Sequence, residues 1–191
     1  MKVILSLFAG ALSLALSAQA AQADHPFMAV LGATSAPIGY VELCQRDPSF
    51  CVQRTSNPTI VSLDDRSWRE LLDINSYVNR TVLPVTDADL YGRIEVWTMP
   101  SGLGDCEDYV LMKRAMLIER GWPASSLLIT VVRERNGEGH AVLTVRTDRG
   151  DLILDNQEAD ILRWDQTQYT YIKRQSEFDE TVWAAIEDGR V

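Results

Sequence analysis

The sequence predicts an α+β domain, helices first and an antiparallel sheet after them. Three observations carry this. Trp68, Leu71, Leu72, Asn75 and Val78 recur at helical spacing, and Leu111, Met112, Ala115, Met116 and Ile118 do so again. From Leu127 the pattern changes to short β-branched runs divided by turn residues.

In chain order, Lys2 precedes an apolar run from Val3 to Leu16, followed by Ala18-Gln19-Ala20 and Ala21-Gln22-Ala23. A basic start, a short apolar stretch and a small-x-small site make residues 1–23 a secretory signal peptide. The run is shorter than the roughly 18 apolar residues of a membrane span, and no later segment is apolar enough to cross, so no transmembrane segment is expected once the signal is removed. Residues 24–191 then form one domain, expected in the periplasm. Four of the seven prolines fall in residues 24–60, which read as irregular structure. Export permits disulfides, and pairing Cys44 with Cys51 closes a small loop there.

Residues 64–79 read as a helix capped by Asp64 or Asp65, and 81–104 as loop, with Pro84, Pro100, Gly102 and Gly104. A second helix runs from residue 105, with Gly121 just past its end and Pro123 beyond. Trp122 reads as a helix-end packing residue rather than an exposed docking aromatic. Leu127–Arg133, His140–Arg146 and Asp151–Asp155 read as strands, with Asn136-Gly137 in the first turn. Tyr169–Arg174 reads as a strand and 177–187 as a last helix.

Composition narrows function. There are 18 Lys+Arg against 27 Asp+Glu, a net charge of −9. Removing residues 1–23 takes away one more Lys and no acid. Nucleic-acid binding is excluded as the function class, because neutralising phosphates needs clustered cations.

Three residues form a candidate catalytic set. Pairing Cys44 with Cys51 leaves Cys106 over, and a leftover cysteine in an exported chain is an intermolecular bridge or a reactive thiol. Cys106 opens a helix after a Gly-rich turn, where backbone N–H groups and the helix dipole favour a thiolate. The base it needs is His140, since the other histidine, His25, stands at the start of the exported chain. If the turn at 147–150 holds two or four residues, Arg146 pairs with Asp151. His140 then faces Gln157 and Asp155 faces Val142, which makes His140 and Asp155 same-face neighbours. Val145 with Leu152 and Leu143 with Leu154 supply the opposite, core face.

Asp105, Glu107 and Asp108 crowd the same cysteine. Acids in a first helical turn serve as caps. Three carboxylates beside a thiolate also repel it, a conflict that a bound Ca²⁺ removes. Spacing alone leaves capping and cation binding both open.

Gly104-Asp105-Cys106-Glu107-Asp108-Tyr109, then Gly139-His140-Ala141-Val142-Leu143, then Leu154-Asp155-Asn156-Gln157 resemble the bacterial transglutaminase-like cysteine peptidases, the family of the LapG-type periplasmic proteases. The likeness spans roughly residues 40–175 and includes Trp97 and Pro100. It implies a papain-like transglutaminase core, with Cys106 at a helix N-terminus as nucleophile, His140 as base and Asp155 as orienting acid. It also implies Ca²⁺ dependence, with Asp105, Glu107 and, more weakly, Asp108 as ligands. The implied partners are a protein substrate of the biofilm-adhesin kind and an inner-membrane cyclic-di-GMP receptor that sequesters the protease. The same residues serve two other readings: acyl transfer to an amine, and a catalytically silent calcium-binding module. Trp97 or a nearby backbone group is a candidate second oxyanion donor.

Overall fold

The β-branched runs after residue 126 build the centre of a seven-stranded antiparallel sheet in the computed structural model, which describes residues 26–190. The expected export signal and His25 lie outside the described residues. The sheet strands are β1 (Ala29–Thr34), β4 (Leu127–Arg133), β5 (Gly139–Thr147), β6 (Gly150–Leu154), β7 (Leu162–Arg163), β8 (Thr170–Gln175) and β9 (Trp183–Glu187), in the order β1-β9-β8-β4-β5-β6-β7. Two short strands, β2 (Leu83–Pro84) and β3 (Leu103–Gly104), pair in parallel apart from it. The helices are α1 (Ile38–Arg46), α2 (Asp65–Thr81), α3 (Asp87–Tyr91) and α4 (Cys106–Glu119).

Both faces of the sheet are covered by apolar side chains, as a strand alternation of period two requires. On one face Ile129, Leu143, Val145 and Leu154 pack with Leu71, Ile74 and Val78 of α2 and Leu111 and Leu117 of α4. On the other, Val132, Val142 and Ile153 pack with Met28, Trp164, Tyr171 and Ile186. The expected register holds: Arg146 pairs with Asp151, Val145 with Leu152 and Leu143 with Leu154. Thr147 pairs with Gly150, so the turn has two residues.

The two long helices form where expected. Asp64 accepts from the Ser67 N–H at 2.7 Å, and the Ser67 hydroxyl accepts in return from the Asp64 N–H, a reciprocal cap. Gly121, φ 90°, closes α4 in the left-handed conformation that glycine adopts without strain. Trp122 is buried and donates to Glu70 of α2, so it packs at the helix end.

Three expectations are corrected. Residues 26–60 are not irregular throughout: they hold β1, α1 and a short 3-10 turn, with the Cys44–Cys51 disulfide joining helix to turn. Four prolines hid these elements because they stand outside them or at their first turns. Residues 81–104 hold α3 and the β2–β3 pair as well as loop. Residues 177–187 end in a strand, not a helix. Trp183 and Ile186 look like helical i, i+3 neighbours, but an odd separation in a strand sends them to opposite faces, and they join opposite cores.

Candidate active site

Four segments converge at the N-terminus of α4. The segment delivering Cys106 is fixed by β3: the Leu83 N–H donates to Gly102 O at 2.9 Å and the Val85 N–H to Gly104 O at 3.0 Å. Gly104 is required there, since a Cβ would lie 2.6 Å from Asp108 Oδ2. Cys106 is then the first residue of α4, with Asp105 as N-cap.

The β5–β6 hairpin supplies the other two residues. The β6 ladder ends at Leu154, opposite Leu143, and Asp155 follows directly. Asp155 Oδ1 lies 2.8 Å from His140 Nε2, and both side chains are at most 2% exposed. Three more donors hold Asp155. The Gln157 N–H reaches Oδ1 at 3.0 Å, the Tyr169 hydroxyl reaches Oδ2 at 2.5 Å, and Asn79 Nδ2 of α2 reaches the backbone O at 2.8 Å. Burial alone would raise the Asp155 carboxyl, but the His140, Tyr169 and Gln157 bonds and the His140 charge hold it below the usual carboxylate range. With Nε2–H donating to Asp155, the imidazole lone pair falls on Nδ1. Gln157 Nε2 stands 3.5 Å from Nδ1, so the residue placed opposite His140 by register does lie beside it.

The Cys106 S–H donates to Glu107 Oε2 at 3.2 Å, and the backbone N–H of Ala141, the residue after His140, acts on the sulfur in favour of its charged form. Burial pushes the thiol well above its ordinary value, and the Glu107 charge and hydrogen bond add to this; the Ala141 N–H opposes them. The helix N-terminus does not by itself give a thiolate here.

The acids divide by role. Ligand oxygens of Asp105 and Glu107 gather with one of Asp87, from α3, within 4.8 Å of one another. Asp108 stands outside that group: its Oδ1 accepts from the Thr98 N–H at 2.9 Å, tying the 98–104 loop to α4. Burial raises the Asp108 carboxyl to about 7. Burial also raises Asp105 and Glu107, and their mutual proximity pushes Glu107 far up. Capping does not account for Asp105, which makes no side-chain cap bond and accepts instead from the Asp87 N–H at 3.1 Å. Asp87 Oδ1 and Asp105 Oδ1 are buried without a hydrogen-bond partner. Hard oxygen donors, crowded, buried and short of protons to accept, fit a divalent cation such as Ca²⁺.

Neither Asp87 nor Tyr169 is among the site residues that the sequence points to. Asp87 is 18 residues upstream in what reads as loop. Its one signal is Thr86, which caps α3 and so presents Asp87 in the first turn. Tyr169 opens a strand-like run and carries no mark of its partner. The Trp97 indole N–H is already committed to Glu95 Oε2 at 3.2 Å, so it is not a free oxyanion donor.

Among the described residues no helix is long and apolar enough to cross a membrane. A sequence model described as bacterial transglutaminase-like cysteine proteinase matches residues 30–191. Among solved structures, calcium-bound LapG of Legionella pneumophila is similar, with 27% identity and a TM-score of 0.54 over 62% of this chain and 68% of that one. EGTA-treated LapG from the same organism gives 26% and 0.53, over 64% of this chain and 72% of that one. No curated protein matches.

Proposed function

This chain belongs to the bacterial transglutaminase-like cysteine proteinases, and from that premise we propose that it is an exported, Ca²⁺-dependent endopeptidase working through Cys106, His140 and Asp155. The observation that carries the reading is the buried 2.8 Å contact of Asp155 with His140 Nε2, one residue along β5 from Ala141, whose backbone N–H favours the charged Cys106 sulfur. Asp155 fixes the ring so that Nδ1, which Gln157 Nε2 approaches at 3.5 Å, is the nitrogen left to accept the Cys106 proton. The thiolate attacks a peptide carbonyl, the C–N bond breaks as His140 returns the proton to the leaving amine, and water hydrolyses the acyl-enzyme. The Cys106 backbone N–H, first in α4, is the oxyanion donor. Asp87, Asp105 and Glu107 would hold Ca²⁺, whose charge offsets the carboxylates that otherwise oppose the thiolate.

A protein substrate follows from the peptidase activity. We read it as an extended segment of a surface protein, in keeping with export directed by residues 1–23, and adhesins of the kind cut by LapG-type enzymes are the first candidates. Regulation by an inner-membrane cyclic-di-GMP receptor is part of the same proposal. The test is incubation of residues 24–191, wild type and Cys106→Ala, with exported adhesins of the same organism, with Ca²⁺ or with EGTA. Cleavage by the wild type in Ca²⁺ alone is the expected result. Cleavage that survives Cys106→Ala sinks the mechanism, and cleavage unaffected by EGTA sinks the cation requirement.

A further inference from the structure

We propose that Gln157 is a positioning residue of the base: in the resting chain its side-chain amide, aimed by Glu134, occupies His140 Nδ1 and keeps it from the Cys106 thiol until the amide swings aside. Gln157 follows the orienting acid by two residues, and its backbone N–H is committed to Asp155 Oδ1 at 3.0 Å. That bond fixes the main chain and leaves the side chain to a separate task. Its Nε2 donates to Glu134 Oε1 at 2.8 Å and stands 3.5 Å from His140 Nδ1. A carboxylate only accepts, so Glu134 must meet the amide nitrogen and not its oxygen. The same nitrogen then has its second N–H left for the imidazole lone pair.

Glu134 is set by the turn between β4 and β5. Its N–H donates to Glu138 O at 2.9 Å, and its Oε2 accepts from Asn136 Nδ2 at 3.4 Å. Gln157 itself is exposed, and with Glu134, Glu158, Asp160 and Tyr169 it lines a cavity of about 300 Å³. The amide therefore has open space to move into without any repacking. A donor at 3.5 Å is also weakly held, so the contact restrains the ring and yields readily. The nucleophile is arranged in the same way, its S–H donating to Glu107 Oε2 at 3.2 Å. Thiol and base thus each meet another partner. When the amide swings toward the cavity, Nδ1 is open to the thiol proton. Until then the thiol stays protonated, which makes it a poor target for oxidation.

The restraint itself does not depend on the peptidase reading; its consequence for hydrolysis rests on it. Gln157→Met keeps the length of the side chain and removes the donor, at an exposed position that tolerates the change. ¹⁵N-histidine labelling of residues 24–191 gives two imidazoles, His25 and His140, told apart with His25→Gln. In Gln157→Met the His140 Nδ1 resonance is expected to move downfield, as for a lone pair that loses its donor. Alkylation of Cys106 by iodoacetamide is expected to run roughly twofold faster or more, the effect of one weak hydrogen bond. Glu134→Ala is expected to change both in the same sense, and the double variant to match Gln157→Met. An Nδ1 resonance that stays in place in Gln157→Met overturns the contact. Alkylation that is unchanged or slower overturns the restraint. Effects of the two variants that simply add overturn the aiming role of Glu134. A wild-type chain that cleaves nothing while Nδ1 and the thiol still respond to Gln157→Met removes the peptidase reading and leaves the restraint standing.

Discussion

Asp155 shows how much of a catalytic arrangement rests on one buried carboxylate. Its two oxygens serve His140, Gln157 and Tyr169 at once, and each bond stabilises the charged form. Tyr169→Phe removes one donor while keeping the ring that lies 5.5 Å from the imidazole. We expect peptide hydrolysis to fall about tenfold in kcat with little change in KM, as for loss of a group that acts through another. A KM change alone would place Tyr169 on the substrate instead. The depressed carboxyl also has a stability consequence. A group whose folded pKa lies below its unfolded value stabilises the fold above the unfolded pKa, and that contribution disappears as pH falls through the folded one. The wild type should therefore lose stability relative to Asp155→Asn as pH drops below about 4. Urea unfolding at pH 3 to 7 measures it, and a gap between the two that does not narrow in acid contradicts the assignment.

At the scale of elements, α1 holds the loop ahead of Cys106 although nothing in residues 24–60 announces a helix. Gly39 is the reason it seats where it does. A Cβ there would lie 2.3 Å from Trp97 Cδ1 and 2.7 Å from Glu95 O. Trp97 in turn stacks edge-on with Tyr40 at 5.7 Å. Gly39→Ala should cost about 1–3 kcal/mol, the range for overpacking a filled core. It should also slow Cys106 chemistry, because the displaced loop is tied to α4 through Thr98 and Asp108. Chemical unfolding and the rate of thiol alkylation read the two effects separately. The same element shows why sequence legibility was uneven. The β4–β5–β6 hairpins were readable because alternation and turn chemistry fix register, and register brought His140, Asp155 and Gln157 together on paper. The α4 start was readable from Gly104 and Cys106. Contacts across distant segments were not: no periodicity joins Asp87 to Asp105, Tyr169 to Asp155, or Gly39 to Trp97. The buried charges of α4 were hidden for another reason. The helix buries Glu107, Asp108, Lys113 and Arg114 beside its apolar residues, so the apolar stripe that marks a helix face fails to show which charges lie inside.

Across the whole molecule, the acidic group at the head of α4 lies where the helical layer, the β2–β3 pair and the sheet meet. Asp87 reaches it from α3, and Asp105 and Glu107 from either side of Cys106. Folding without a cation requires these buried carboxyls to stay protonated or to repel one another, and either condition lowers the stability of the assembled state. An ion that binds only the folded chain stabilises it by mass action, about 2.7 kcal/mol at a concentration one hundred times its Kd. For a domain of this size that corresponds to a rise in Tm of roughly 5–10 °C. Thermal unfolding of residues 24–191 in EGTA and in saturating Ca²⁺ should show that rise. Asp87→Asn should shrink it, since Asn keeps the shape and removes one charge. Asp108→Asn should lower Tm in both conditions and leave the Ca²⁺-dependent increment intact, because Asp108 holds Thr98 and stands outside the cluster. An increment lost in Asp108→Asn but kept in Asp87→Asn reverses that division of roles and moves the ion to the other side of the helix start.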